Sequence, residues 1–294
     1  MVCALNRRSS LQRQQNGSLV TTEWLAAHLD DPDLVLLDAS FKLPGVAPTA
    51  EEDFSERHIP GAQFFDVDAI ADHKNPLPHM LPPPEVFAEH SSAFGISNGH
   101  TVIIYDTPGL MSAGRAWWMF RTFGHVNVAI LDGGLKKWLA EGRPVTHEVR
   151  SRTRANFVAR FNPAKIRDKA QLLANLSTGA EQVIDARSAA RFHAEEKEAR
   201  PGLRSGHIPG SLNLPFNLMT DPATGEMKSP QALRAAFLQA GLDFSRPAVA
   251  SCGSGVTACA LVFALHLLGK EDVAVYDGAW AEWGLPGSTP VEPA

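Results

Sequence analysis

Short apolar runs of strand length recur along the chain: Leu34–Leu37, Val102–Tyr105 and Val128–Leu131 in its first half, then Val183–Ile184, Ala248–Ala250 and Val273–Tyr276 in its second. They do not alternate with polar residues, so a strand built from any of them is buried on both faces, and stretches of helical period separate them. That combination predicts an α/β fold in which a parallel sheet is flanked by helices on both sides. The longest apolar stretch, Ala258 to Leu268, is interrupted by His266 and followed by Gly269. It is too short to cross a bilayer, which takes roughly 20 residues, and predicts a buried helix with a glycine just past its end. No membrane partner is expected.

The pattern also repeats, across a shift of about 147 residues. Leu36-Leu37-Asp38-Ala39-Ser40 returns as Val183-Ile184-Asp185-Ala186-Arg187, and His58-Ile59-Pro60-Gly61 as His207-Ile208-Pro209-Gly210. Leu131-Asp132-Gly133-Gly134 with Trp138 returns as Tyr276-Asp277-Gly278-Ala279 with Trp283. Four landmarks in one order mean two copies of one domain, which suits 294 residues, a length too great for a single core. The expected division is a tail at 1–17, an N-terminal domain at 18–145, a linker at 146–165 and a C-terminal domain at 166–294. The linker falls in and just beyond a charged, arginine-rich stretch without period, Glu141 to Asn162.

Composition narrows the function. Apolar residues at 44% and charged residues at 20% suit a folded globular protein, and a formal net charge of −5 gives no basic footprint for nucleic acid. Three cysteines at irregular positions make no disulfide framework, so a reducing compartment is expected. The expected location is cytoplasmic. The alternative is mitochondrial, because the tail carries Arg7, Arg8 and Arg13 with no acidic residue before Glu23, as a transit peptide or a plain polar tail would.

The copies part company at one loop. Ala250-Ser251-Cys252 aligns with Ile104-Tyr105-Asp106, so only the second copy has a nucleophile. Gly253, Ser254, Gly255, Val256 and Thr257 then lead into the apolar helix. A strand, a glycine-bearing loop and a helix start turn several N–H groups, and the positive end of the helix dipole, toward one point. Such an anion-cradling loop stabilises negative charge on the Cys252 sulfur and favours the thiolate, the form that attacks sulfur. Cys259 in the helix and Cys3 in the tail carry no such surroundings and read as unreactive. A Cys-dependent phosphatase needs an arginine after five loop residues, and Ala258 stands there.

The run Cys252-Gly253-Ser254-Gly255-Val256-Thr257-Ala258 closely resembles the active-site loop of 3-mercaptopyruvate sulfurtransferases, members of the rhodanese superfamily. The likeness covers nearly the whole chain beyond the tail, including both His-Ile-Pro-Gly segments, Ser112-Ala113-Gly114-Arg115-Ala116-Trp117-Trp118 and Asp132-Gly133-Gly134. It implies two tandem rhodanese-like domains, the first without a catalytic cysteine. It implies that Arg191 and Arg200 hold a substrate carboxylate, as guanidinium groups do through paired charged hydrogen bonds. It also implies a proton-handling set of Ser254, His79 and Asp68, the last two supplied by the first domain. His58 and His207, matched in both copies, are expected to be structural, and Asp106 non-catalytic.

The activity so implied moves sulfur from 3-mercaptopyruvate through a Cys252 persulfide to a small thiol, cyanide or a thioredoxin-like protein, releasing pyruvate and needing no metal or organic cofactor. Thiosulfate sulfurtransferase is the nearest alternative. Enzymes specialised for thiosulfate resemble one another in placing basic residues in this loop, where this chain has Gly253 and Ser254. A non-catalytic sulfide-binding module is the more distant one, and Cys252 speaks against it.

Overall fold

The computed structural model describes residues 17–43 and 45–292, so the expected tail, with Cys3 and its arginines, lies outside the described residues except for Gly17. Two five-stranded parallel sheets form. Strands β1 (Leu19–Val20), β2 (Leu34–Asp38), β3 (Ala62–Phe64), β4 (Thr101–Tyr105) and β5 (Val128–Leu131) lie in the order β1-β5-β4-β2-β3. Strands β6 (Ile166–Arg167), β7 (Gln182–Asp185), β8 (Leu212–Asn213), β9 (Ala248–Ser251) and β10 (Val273–Tyr276) lie in the order β6-β10-β9-β7-β8. Strand for strand the two orders are the same, so the internal repeat is a repeat of the whole fold. Strands β2, β5 and β10 are buried at every residue, because helices cover both faces of a parallel sheet.

In each sheet the chain leaves the two central strands in opposite directions, from β2 to β3 and from β4 to β5, and likewise from β7 and β9. A crevice opens beyond the carboxyl ends of such a pair, the usual ligand position in an open α/β sheet. Asp106 is the first residue past β4, and Cys252 the first past β9.

The helices that follow these two residues, Ala113–Thr122 and Ala258–Leu267, pack on each other and join the domains. The second is buried from Ala258 to His266, which explains why it is apolar all round rather than along one stripe. Gly114 permits the crossing, since a Cβ there would sit 3.1 Å from the backbone nitrogen of Ala260. Trp117 meets Phe263 edge to face at 5.0 Å, and one hydrophobic core runs through both domains. That shared core fixes the relative position of groups that face each other across the interface.

The stretch Glu141 to Asn162 is irregular but strapped to the first domain. The Ala155 N–H bonds to Ser92, the Arg160 N–H to Phe123 and the Asn162 N–H to Thr122, while Phe157 is buried against Phe87 and Phe120. His58 and His207 play matching parts. Each stacks on a phenylalanine four or more residues before it, Phe54 at 4.0 Å and Phe192 at 3.8 Å, and bonds to that residue's carbonyl through Nδ1.

Candidate active site

Cys252 is buried at the crevice between the carboxyl ends of β7 and β9. Its carbonyl accepts from the Trp280 N–H, and that of Gly253 from the Ala281 N–H, both at 2.9 Å, so the turn after β10 anchors the strand end. Beyond that anchor the loop's donors are unpaired: among the described residues, the N–H groups of Gly253 to Ala258 donate to no protein acceptor. Gly255 makes the turn with a φ of 78°, and a Cβ there would lie 3.0 Å from the carbonyl oxygen of Asp277. Only glycine meets both demands. A row of unpaired N–H groups at a helix start is a site for an anion.

The structure brings Ser254, His79 and Asp68 together across the interface. The His79 ring lies with Nδ1 2.9 Å from the Ser254 hydroxyl and Nε2 2.7 Å from Asp68 Oδ1. The hydrogen bond from His79 holds the Asp68 carboxyl below its ordinary range, against the opposing effect of burial, and the charges of His79, Arg200 and His73 add to it. An ionised Asp68 fixes the proton on Nε2, so Nδ1 accepts from the Ser254 O–H. The His79 side chain is 3% exposed and that of Asp68 58%, so the chain of three runs from the buried loop to solvent.

Arg191 and Arg200 come to the same loop. Arg191 lies against Gly253, its Nη2 3.3 Å from where a Cβ would stand, while its buried Nε has no hydrogen-bond partner. Arg200 makes no hydrogen bond or ion pair among the described residues. Burial lowers its pKa, and the Cys252 sulfur and the Asp68 carboxylate oppose that. Two guanidinium groups with donors to spare thus flank a thiol. Cys259 stands apart: burial pushes its thiol far above the ordinary range, and its Sγ is tied to the Gly255 carbonyl at 3.3 Å.

Three charged residues near the site escaped sequence reasoning. Glu198, its side chain 2% exposed, bridges Arg187 at 2.7 Å and Arg191. Arg115 and Asp277, both buried, pair across the interface at 2.7 Å. The available signal was a charge set among apolar residues, Arg115 within Ala-Gly-Arg-Ala-Trp-Trp and Asp277 directly after a strand run.

Two domains of one α/β topology, with a cysteine in an N–H-lined loop of the second, match the Rhodanese-like domain family twice, at residues 21–141 and 168–285. The chain belongs to the rhodanese family, as a tandem pair. It is 45% identical over 272 residues to 3-mercaptopyruvate sulfurtransferase of Rattus norvegicus, covering 90% of this chain and 91% of that protein. To the thiosulfate sulfurtransferase of Cricetulus griseus it is 44% identical over 274 residues, with coverage of 90% and 91%. The crystal structure of SseA from Escherichia coli, a 3-mercaptopyruvate sulfotransferase, superposes with a TM-score of 0.82 at 42% identity, covering 89% of this chain and 98% of that one.

Proposed function

We propose that this chain is a 3-mercaptopyruvate sulfurtransferase with Cys252 as its nucleophile. The observation that carries the reading is the loop: an uncharged Gly253-Ser254 stretch with unpaired N–H groups, flanked by Arg191 and Arg200 and joined through Ser254 to His79 and Asp68.

The substrate carboxylate takes the donors that Arg191 Nε and the Arg200 guanidinium leave unused, which sets its sulfur toward Cys252. The thiolate attacks that sulfur, an S–S bond forms, and the C–S bond breaks with its electron pair passing to the carbon as the enolate of pyruvate. The enolate takes a proton, for which the Ser254 hydroxyl is the nearest relay, linked through His79 to solvent-exposed Asp68. The persulfide rests on the loop N–H groups until a second thiol, cyanide or a thioredoxin-like protein removes its outer sulfur. No step calls for a metal or organic cofactor.

A secondary activity on thiosulfate is also expected. Its donor loop is neutral, but Arg191 stands at Gly253 and supplies some of the positive charge that anion needs. For location, both described cysteines are free, which supports a reducing compartment such as the cytoplasm. Among the described residues no helix is long and apolar enough to cross a membrane.

Intact-mass measurement tests the reading directly. Exposure to mercaptopyruvate adds one sulfur atom to the wild-type protein and none to Cys252→Ser. Sulfur appearing on another cysteine of the serine variant overturns it.

A further inference from the structure

His79 takes a backbone conformation that is uncommon for any residue with a side chain. Its φ is 59°, in the left-handed region where a Cβ is strained, although histidine visits it more often than most non-glycine residues. Strain of that kind persists where surrounding groups over-determine the backbone. Here the groups can be named. Arg115 donates through Nη2 to the His79 carbonyl and through Nη1 to Asp277 Oδ1 at 2.7 Å, and Nη1 also lies 3.3 Å from the Gly255 carbonyl. The other oxygen of Asp277 accepts from the Leu81 N–H at 2.6 Å. The backbone is therefore gripped on both sides of the His79–Leu81 turn, by a cation from its own domain and by an anion from the other.

We propose that Arg115 and Asp277 are a positioning pair, which holds His79 in the one backbone conformation that lets its ring join Ser254 to Asp68. The pair exists only when the domains are docked, and its 3.3 Å contact with the Gly255 carbonyl is longer than either of its bonds to the His79–Leu81 turn. Arg115 is fixed in turn by the face of Trp118, 4.6 Å from its guanidinium carbon, and both charges are buried, so neither can swing to solvent. An arginine is needed because its planar fork serves three acceptors at once, while a lysine offers a single point charge. The inference rests on the reading that His79 handles a proton in sulfur transfer.

The test is a double-mutant cycle on the full chain, with mercaptopyruvate as donor and cyanide as acceptor. Arg115→Lys keeps a cation beside Asp277 but cannot also reach the His79 carbonyl. It lowers kcat by about ten- to a hundredfold, the scale for misplacing a catalytic group by an ångström, while KM stays within about twofold because Arg191 and Arg200 are untouched. In a His79→Ala background the same substitution costs less than about threefold, since the group it positions is gone. Circular dichroism and thermal unfolding establish that each variant is folded. Asp277→Asn, which has nearly the same shape, carries the same cycle if the lysine variant does not fold.

Equal losses with and without His79 overturn the proposal, as does a rise in KM alone. Loss of fold in both variants overturns it too, because the pair is then a stability element only. A wild-type protein that takes no sulfur from mercaptopyruvate refutes the functional reading instead, before the cycle begins.

Discussion

Asp106 occupies in the first domain the position that Cys252 occupies in the second, and its carboxylate fills its own loop. Oδ1 accepts from the Gly109 N–H at 2.8 Å, and Oδ2 from the N–H groups of Met111, Ser112 and Ala113 at 2.7, 2.8 and 2.8 Å. The carbonyls of Asp106 and Cys252 are also anchored alike, by Leu135 and Trp280. Matched loop positions thus hold a carboxylate bonded to four N–H groups in one domain and Cys252 at the head of a run of unpaired N–H groups in the other. The first domain shows what the second can stabilise.

That relationship predicts a large stability role for Asp106. Asp106→Ala leaves four loop N–H groups without their acceptor in a buried setting, at a cost of about 3–5 kcal/mol, since charge-assisted hydrogen bonds contribute roughly 1.5–3 kcal/mol each and are not additive. Asp106→Asn keeps one oxygen and costs less. Urea unfolding of the three proteins checks this, and an alanine variant as stable as wild type refutes it.

The arginines are expected to act on substrate rather than on the fold. Arg200→Ala lowers kcat/KM for mercaptopyruvate by about ten- to a hundredfold with no loss of thermal stability, because Arg200 has no hydrogen-bond or ion-pair partner among the described residues. Arg191→Ala shows a similar kinetic loss, while Glu198 keeps Arg187 as its partner. Unchanged kinetics in either variant would remove that residue from the site.

Donor choice is expected to follow loop charge. Gly253 does not have a left-handed φ, so its backbone accepts a side chain, and the obstacle is the Arg191 guanidinium beside it. Gly253→Arg with Ser254→Lys places two cations where the sulfonate end of thiosulfate must sit. Each close pair is worth up to about 4 kcal/mol before desolvation, and a net gain of about 1–2 kcal/mol raises thiosulfate turnover roughly five- to thirtyfold. Mercaptopyruvate turnover falls, through loss of the Ser254 hydroxyl and displacement of Arg191. The ratio of kcat/KM for the two donors is the measurement, and an unchanged ratio in a folded variant sinks the idea.

A buried acid sets a pH trend in stability. Burial pushes the Asp38 carboxyl up to about 6 from 3.8, opposed by its bonds to Ser40 and Tyr105. The folded state therefore holds a proton that the unfolded chain releases earlier, and stability falls as pH rises from about 4 to 6, by up to roughly 3 kcal/mol. Asp38→Asn removes that loss, so its stability gain over wild type grows between pH 4 and pH 7.5. Denaturant titrations at both pH values decide it. A gain that shrinks with pH reverses the sign and rules the account out.

The sequence by itself determined the units of the fold and singled out the proposed nucleophile. Apolar runs such as Val273–Tyr276 and the apolar helix after Thr257 are written in a few consecutive residues, and they form wherever a sheet can bury them. The two copies were legible as repeated segments, and Cys252 stood out because Asp106 replaces it in the other copy. The Ser254–His79–Asp68 set entered only through a family resemblance, because Ser254 and His79 stand 175 positions apart and meet across a domain interface. The left-handed turn at His79, the Arg115–Asp277 clamp and the Glu198 bridge to Arg191 were decided by tertiary structure alone. Local pattern records which residues prefer a strand or a helix. Which buried charge finds which partner depends on where two packed helices, crossing at Gly114, set one domain against the other.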